Sequence, residues 1–454
     1  MTLPLTQIYA DFAVSTMEKG VPAGAADVAR LGFTDCAGVM LAGLNEPVVR
    51  VLRKVAGSIR SSDGKNSSLL FSGETALSSQ AAGFNATAAH ALDYDDYAFS
   101  NHPSAVLVPT ILAAAELSGI NGKQMLAAYC VGYEVWGDLM TREPDHLHSK
   151  GWHPTAVFGP VAAAAAASSA LKLTMPQTRN ALALAASFAG GVFENFGTMA
   201  KPMHGGRAAE AGVHAAMLAM AGIEASPTAI EGSRGLMRAL SPNGRVNLES
   251  PPMMLKAWRI EKSRLNIKKF PTVGASQRCI DAALELRKLI PDLSKVVKIE
   301  AVVSEKHDAV MPFRKPRTAL EAKFSLQFAV GCALQHGAVG LMQLKDEVVN
   351  APTLQAVMGK VQTVLTDELD PDYPIAALND IVHATLDDGR VISSPKMRYA
   401  SGHANAPLAT EAIWGKFVDC AAYGGIGADK ARSLFDTMQK IDTLAGTKDI
   451  PRIA

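Results

Sequence analysis

The sequence predicts a mainly α protein, a large all-helical domain plus a smaller α+β domain, on three observations. Apolar residues recur at i, i+3 and i+4 through most of the first 221 residues, the spacing of helices with one buried face. After about residue 260 the pattern changes, and 296–303 alternates apolar and polar residues as a half-buried strand does. Helical spacing returns over 405–448. A chain that runs helical, mixed and helical again predicts that its tail rejoins the first domain. The expected division is therefore 1–264 with 399–454, and 265–398. A length of 454 residues agrees with two domains, since single cores stop growing at roughly 250–300 residues.

In chain order, helices are expected over 6–18, 25–41, 48–58, 76–92, 109–117, 122–141, 159–171, 175–188 and 208–221. Thr174 ahead of Met175, Pro176 and Gln177 is a helix start, with a capping hydroxyl and Pro in the first turn. Gly119, Gly151 and Gly222 mark ends. In the second region, strands are expected over 296–303, 361–365 and 381–386. Asp387-Asp388-Gly389 then turns the chain into a further strand at Arg390-Val391-Ile392. Helices at 277–289, 319–333 and 353–360 interleave with them.

Composition excludes several functions. Apolar residues make up 48% and charged residues 19%, enough for a large core. The net charge of +1 gives no polybasic surface for nucleic acid or membrane. The alanine-rich runs are shorter than the roughly 20 residues that span a bilayer. Cys36, Cys130, Cys279, Cys332 and Cys420 are odd in number and form no CxxC pair, as expected of buried thiols in a reducing, cytoplasmic setting. No GxGxxG, GxxxxGK[ST] or GxSxG motif is present, and the Gly424-Gly425-Ile426-Gly427 turn lies in helical surroundings. No cofactor is expected.

Four stretches carry candidate chemistry. His90-Ala-Leu-Asp93-Tyr-Asp95-Asp96-Tyr97, followed by Asn101-His102-Pro103-Ser104, puts three acids and two histidines at a helix junction. An acid beside an imidazole orients it and makes it a better base. Gly151-Trp-His153-Pro-Thr155 places a histidine at the start of an Ala-rich helix; His146 and His148 lie nearby, but this loop spacing is a weak metal signal and no metal is expected. Lys201-Pro-Met-His204-Gly205-Gly206-Arg207 combines two glycines, two cations and a following helix, a cradle for a carboxylate. Lys268 and Lys269, before Phe270-Pro271-Thr272, add a basic pair at the expected domain junction.

Together these stretches resemble the MmgE/PrpD family. The resemblance runs in order through HALDYDD (90–96), NHPS (101–104), GYEVWGDL (132–139), GWHPT (151–155), AKPMHGGRAAEAG (200–212), KKFPT (268–272), AKFSLQFAV (322–330), SGHANAP (401–407) and KF (416–417). It implies an all-helical domain with an α+β lid, a homodimer, and cofactor-free proton chemistry on a small di- or tricarboxylic acid. It also implies catalytic roles for Asp93, His102, His153, Lys201 and Lys268, with Tyr97, His204, Gly205, Gly206 and Arg207 around the substrate. The decarboxylase members carry His where this chain has Val273, Tyr where it has Phe328 and Thr where Tyr97 stands. Two proton donors are thereby lost, which counts against cis-aconitate decarboxylation. The expected activity is a 2-methylcitrate dehydratase-like lyase. An iminodisuccinate-type epimerase is the alternative, ahead of a decarboxylase or a non-catalytic carboxylate-binding homologue.

Overall fold

Alanine and glycine set how closely the helices of this chain approach. The computed structural model describes residues 4–56 and 65–453. Among the described residues up to 220, nine α-helices follow in order: α1 (Leu5–Lys19), α2 (Ala23–Gly43), α3 (Pro47–Ala56), α4 (Ser78–His90), α5 (Pro103–Ser118), α6 (Gly122–Arg142), α7 (Pro154–Ala170), α8 (Met175–Ala186) and α9 (Ala200–Met220). Every residue of α7 is buried, which its run of six alanines allows, because no long side chain holds neighbouring helices away. A Cβ on Gly212 of α9 would come within 2.3 Å of Ala163 in α7, and one on Gly132 of α6 within 3.1 Å of Ala166. These glycines are where backbones meet.

The helix starts differ from expectation by five residues or more in three places, each at proline. α5 begins at Pro103 rather than 109, α7 at Pro154 rather than 159, and α9 at Ala200 rather than 208. Proline in a first turn gives up an N–H that has no partner there in any case. In α8, Gln177 Oε1 accepts the Thr174 backbone N–H at 3.0 Å, the reciprocal half of the expected capping box. The last two residues of the helix expected over 48–58 lie outside the described residues. A two-strand hairpin, Asn66–Ser68 with Thr75–Leu77, interrupts the helices and was not anticipated.

The chain clusters into two compact units, residues 1–194, 200–265 and 411–454 in one, and 195–199 with 266–410 in the other. The tail helices Thr410–Tyr423 and Ala428–Gln439 follow one another through the Gly424–Gly427 turn. Gly425 has a left-handed φ of 82°, and a Cβ on Gly424 would fall 2.1 Å from the Leu41 carbonyl oxygen of α2, so this turn is built for packing. The second unit has a four-stranded sheet in the order Val361–Leu365, Val296–Val303, Ile381–Leu386, Val391–Ser393. The first pair is parallel and the others antiparallel. Helices Gln277–Leu289 and Leu326–His336 contribute to its core. The single helix expected over 319–333 is broken after Ala322, where the Ser325 hydroxyl accepts the Phe328 N–H and starts a new one.

Candidate active site

Five segments of the first unit bring six of the eleven histidines of the chain into one group. α4 ends on His90. The turn after it carries Asp93, Asp95 and Asp96, all buried. His102 and His153 occupy equivalent places, each the residue before a proline that opens a helix, α5 and α7. A residue before proline is driven to extended backbone, which projects its side chain ahead of the helix start. Lys201 and His204 come from the first turns of α9, and His146 and His148 from the loop ahead of α7.

Asp95 lies at the centre. Its Oδ1 is 3.0 Å from His90 Nδ1 and its Oδ2 2.8 Å from His102 Nδ1. Both partners are acceptor oxygens on Asp95, and His102 Nδ1 also faces the Asp96 carbonyl oxygen at 3.2 Å. Each imidazole therefore carries its proton on Nδ1 and leaves Nε2 with its lone pair. His90 Nε2 accepts from Lys201 Nζ at 3.0 Å, and Lys201 donates to Asp93 Oδ1 at 2.5 Å. His102 Nε2 stands 3.9 Å from that same Asp93 oxygen. A ring of five side chains closes: Asp95, His90, Lys201, Asp93, His102. Asp93 holds a left-handed φ of 50°, a conformation that costs free energy in any residue but glycine, and does so at the ring.

The electrostatics follow from burial. Desolvation pushes His90 down to about 3 even with Asp95 opposing it, and pushes His148 down to about 3. Burial, with Lys201 and the neighbouring histidines, holds His153 well below the usual imidazole range. His204, whose Nδ1 is 3.1 Å from His153 Nδ1, is lowered to about 4 by burial and by Lys201. Burial alone would raise Asp95, but the His90 and His102 imidazoles outweigh it and keep that carboxyl well below its ordinary value. Asp96 behaves oppositely. Burial first, and the nearby Asp35, push it well above the carboxylate range.

Asp93, His102, His153 and Lys201 are gathered at this ring, with His204 against it. The local structure at 205–206 differs from expectation. Gly205 and Gly206 do not form a turn ahead of a helix: they lie inside α9, with their N–H groups in the helix. A Cβ on Gly206 would meet Thr87 Oγ1 at 2.0 Å and the Gly83 carbonyl at 2.6 Å, so its bareness lets α9 approach α4. The Arg207 side chain is 68% exposed and paired with Glu210 at 2.9 Å. Tyr97 is half-buried in the loop after α4. Lys268 belongs to the second unit. In that unit Phe328 is fully buried in the core and Val273 packs against it, so neither position offers a proton.

His90 and Asp95 were in view in the sequence but not among the candidate site residues. Support also comes from Lys416, whose ammonium pairs with Asp35 at 2.7 Å and donates to the Tyr94 carbonyl at 2.8 Å, tethering the loop that holds the acids. The nitrogens of His90, His102 and His153 lie within 4.8 Å of one another, and so do ligand atoms of His90, Asp93, Asp95 and His102. A borderline divalent transition-metal cation suits that donor set. The Lys201 ammonium already provides positive charge at that place, bonded to one member of each group.

Residues 7–249 match the model of the MmgE/PrpD N-terminal domain, and residues 270–441 that of the MmgE/PrpD C-terminal domain. A cis-aconitate decarboxylase of Mus musculus is 29% identical over 390 residues, 82% of this chain and 78% of its own. One of Homo sapiens is 29% identical over 351 residues, 74% of this chain and 71% of its own. A cis-aconitate decarboxylase-like protein, oryM, of Aspergillus oryzae is 28% identical over 348 residues, 70% and 71% respectively. No helix of the described residues is long and apolar enough to cross a membrane.

Proposed function

Because the chain belongs to the MmgE/PrpD family, we propose that it is an enzyme that removes a proton next to a carboxylate of a small di- or tricarboxylic acid. One observation carries this reading: His102 directs an Nε2 lone pair at the side of the ring where Lys201 and Asp93 meet. His102 Nε2 takes the proton, and the C–H electron pair moves into the carboxylate as an enediolate. The Lys201 ammonium stabilises that developing charge, more strongly for being out of water. The imidazolium formed lies between Asp95 and Asp93, two carboxylates that offset its charge. His153 and His204, held neutral, add hydrogen bonds without repelling Lys201.

The proposed outcome is dehydration. As the enediolate pair returns, the bond to a hydroxyl on the neighbouring carbon breaks and water leaves with one proton. A 2-methylcitrate dehydratase-like lyase is the reading that Val273 and Phe328 favour, since both positions lack the donors of the decarboxylase members. The second reading is decarboxylation, in which a C–CO₂⁻ bond breaks and the carbanion is reprotonated. The names of the similar proteins favour it. Return of a proton to the opposite face would make the enzyme an epimerase.

The purified protein, incubated in D₂O with 2-methylcitrate, citrate, cis-aconitate, iminodisuccinate or tartrate-like acids, is followed by proton NMR. Loss of a signal next to a carboxylate, abolished in His102→Asn, supports the reading, and the product names the reaction. Binding of one acid by calorimetry without exchange or turnover of any would replace it with a carboxylate-binding role.

A further inference from the structure

We infer that Asp95 is a positioning residue that sets the tautomers of two histidines at once, presenting His102 Nε2 as a base and His90 Nε2 as an anchor for Lys201. The role in turnover rests on the proton abstraction proposed above; the tautomers themselves do not.

The argument is an inventory of donors and acceptors. A neutral imidazole has one N–H and one lone pair. Asp95 is fully buried and offers acceptors only, one oxygen 3.0 Å from His90 Nδ1 and the other 2.8 Å from His102 Nδ1. Both imidazoles must put their hydrogen on Nδ1. For His102 the Asp96 carbonyl oxygen, 3.2 Å from the same nitrogen, imposes the same choice. The consequence is different at each far end. On His102 the lone pair lies on the side of Asp93, whose Oδ1 is 3.9 Å from Nε2. On His90 it faces an ammonium that must donate, Lys201 at 3.0 Å. Were His90 to carry its proton on Nε2, two donors would point at each other and Lys201 would be pushed from its place beside Asp93. One buried carboxylate thus governs the base directly and the cation through an intervening ring.

No neutral isostere can do both tasks. In Asp95→Asn the amide has one acceptor oxygen and one donor nitrogen, so only one of the two imidazoles keeps a side-chain acceptor at Nδ1, and the Asp96 carbonyl favours His102 as that one. The other switches to Nε2–H. If it is His102, the base is lost; if it is His90, Lys201 is displaced. Asp95→Glu keeps two acceptor oxygens on a longer arm and restores the tautomers, with poorer geometry.

The test combines spectroscopy and kinetics on the full-length protein. Nitrogen-15 NMR of imidazole-labelled protein reads the tautomers without any substrate. The wild type is expected to show His90 and His102 protonated on Nδ1, Asp95→Asn to show one of them switched, and Asp95→Glu to restore both. On any substrate that turns over, Asp95→Asn is expected to lower kcat by about 10²–10⁴-fold, the range for loss of a positioned base or its orienting acid, with KM changed less than about threefold. Asp95→Glu should recover at least tenfold of that loss. A wild-type His102 protonated on Nε2, or unchanged tautomers in a folded Asp95→Asn, would overturn the inference. If no acid turns over but the tautomers behave as stated, the proposed reaction fails and the positioning role stands.

Discussion

The Lys201 ammonium stands 2.5 Å from Oδ1 of Asp93, with both side chains almost completely buried. Two charges removed from water are costly one at a time and tolerable only together. Lys201→Met is therefore expected to lower stability by about 3–5 kcal/mol, because it leaves Asp93 without its cation. The double variant Lys201→Met/Asp93→Asn should lose less than the two single losses added together. Urea unfolding followed by circular dichroism measures all three. Activity should be abolished in each and insensitive to EDTA in the wild type, since in this reading the lysine supplies the positive charge. Additive losses would mean that the pair is not coupled.

Acid should unfold this protein earlier than its carboxylates alone dictate. His90 and His148 are each lowered to about 3 by burial, from an ordinary value near 6.5. Below pH 6.5 the unfolded chain takes up protons on these two residues while the folded chain does not. Stability is fully present above that value and falls as the pH drops toward 3. Each histidine contributes a slope of about 1.4 kcal/mol per pH unit in that window. Asp95, lowered in the fold, adds its own loss only at more acidic pH. Urea midpoints at pH 7, 6 and 5 should decline steadily, and equal midpoints would show that the histidines charge freely in the folded state.

Much of this site was legible in the sequence, and what was not has identifiable causes. His102-Pro103 and His153-Pro154 announce themselves, because a histidine followed by proline and an apolar run has little choice but to sit at a helix start. His90 was less visible: it closes an apolar helix, and nothing local shows that its ring faces Lys201, 111 residues away. Asp95 was hidden among Asp93 and Asp96, three acids that sequence alone cannot rank. Burial separates them, with Asp95 held well below the usual carboxylate range between two imidazoles and Asp96 well above it. In the second unit, period-two alternation was a sufficient signal, and the strands Val296–Val303, Val361–Leu365 and Ile381–Leu386 have the expected bounds. The hairpin of Leu369–Asp370 and Tyr373–Ala377 is not visible in the sequence, because its first strand has two residues and Pro374 interrupts the second.

Asp96 is a case where removing a carboxylate should do little. It is held well above the carboxylate range by burial and by Asp35, so from about pH 3.8 upward the folded state keeps a proton that the unfolded state releases. That difference destabilises the fold increasingly as pH rises above 3.8, until the folded group itself ionises. Asp96→Asn removes the titration and keeps the shape. Its stability at pH 7 should equal or exceed that of the wild type, with kcat within about threefold, the scatter of a substitution that removes no catalytic proton. The infrared band of a protonated carboxyl group, present in the wild type at pH 7, should weaken in this variant. A strong loss of activity would mean that Asp96 works as an ionised group.

Gly205 and Gly206 provide the sharpest choice between a ligand cradle and a helix crossing. If both glycines admitted a substrate carboxylate, alanine at either position would raise KM. The packing predicts instead that the two behave oppositely. A Cβ at Gly205 has the Cβ of His90 as its nearest neighbour at 3.6 Å, an ordinary contact. Gly205→Ala should therefore be tolerated and gain up to about 1 kcal/mol from helix propensity. A Cβ at Gly206 would lie 2.0 Å from Thr87 Oγ1 and 2.6 Å from the Gly83 carbonyl, so α9 must move off α4. Overpacking of this kind costs about 1–3 kcal/mol. The same shift separates Lys201 on α9 from His90 at the end of α4, so kcat should fall by about 10²-fold, the cost of misplacing a reacting group by around 1 Å. Steady-state kinetics and urea unfolding of the two single variants decide the matter: equal rises in KM with unchanged stability would restore the cradle.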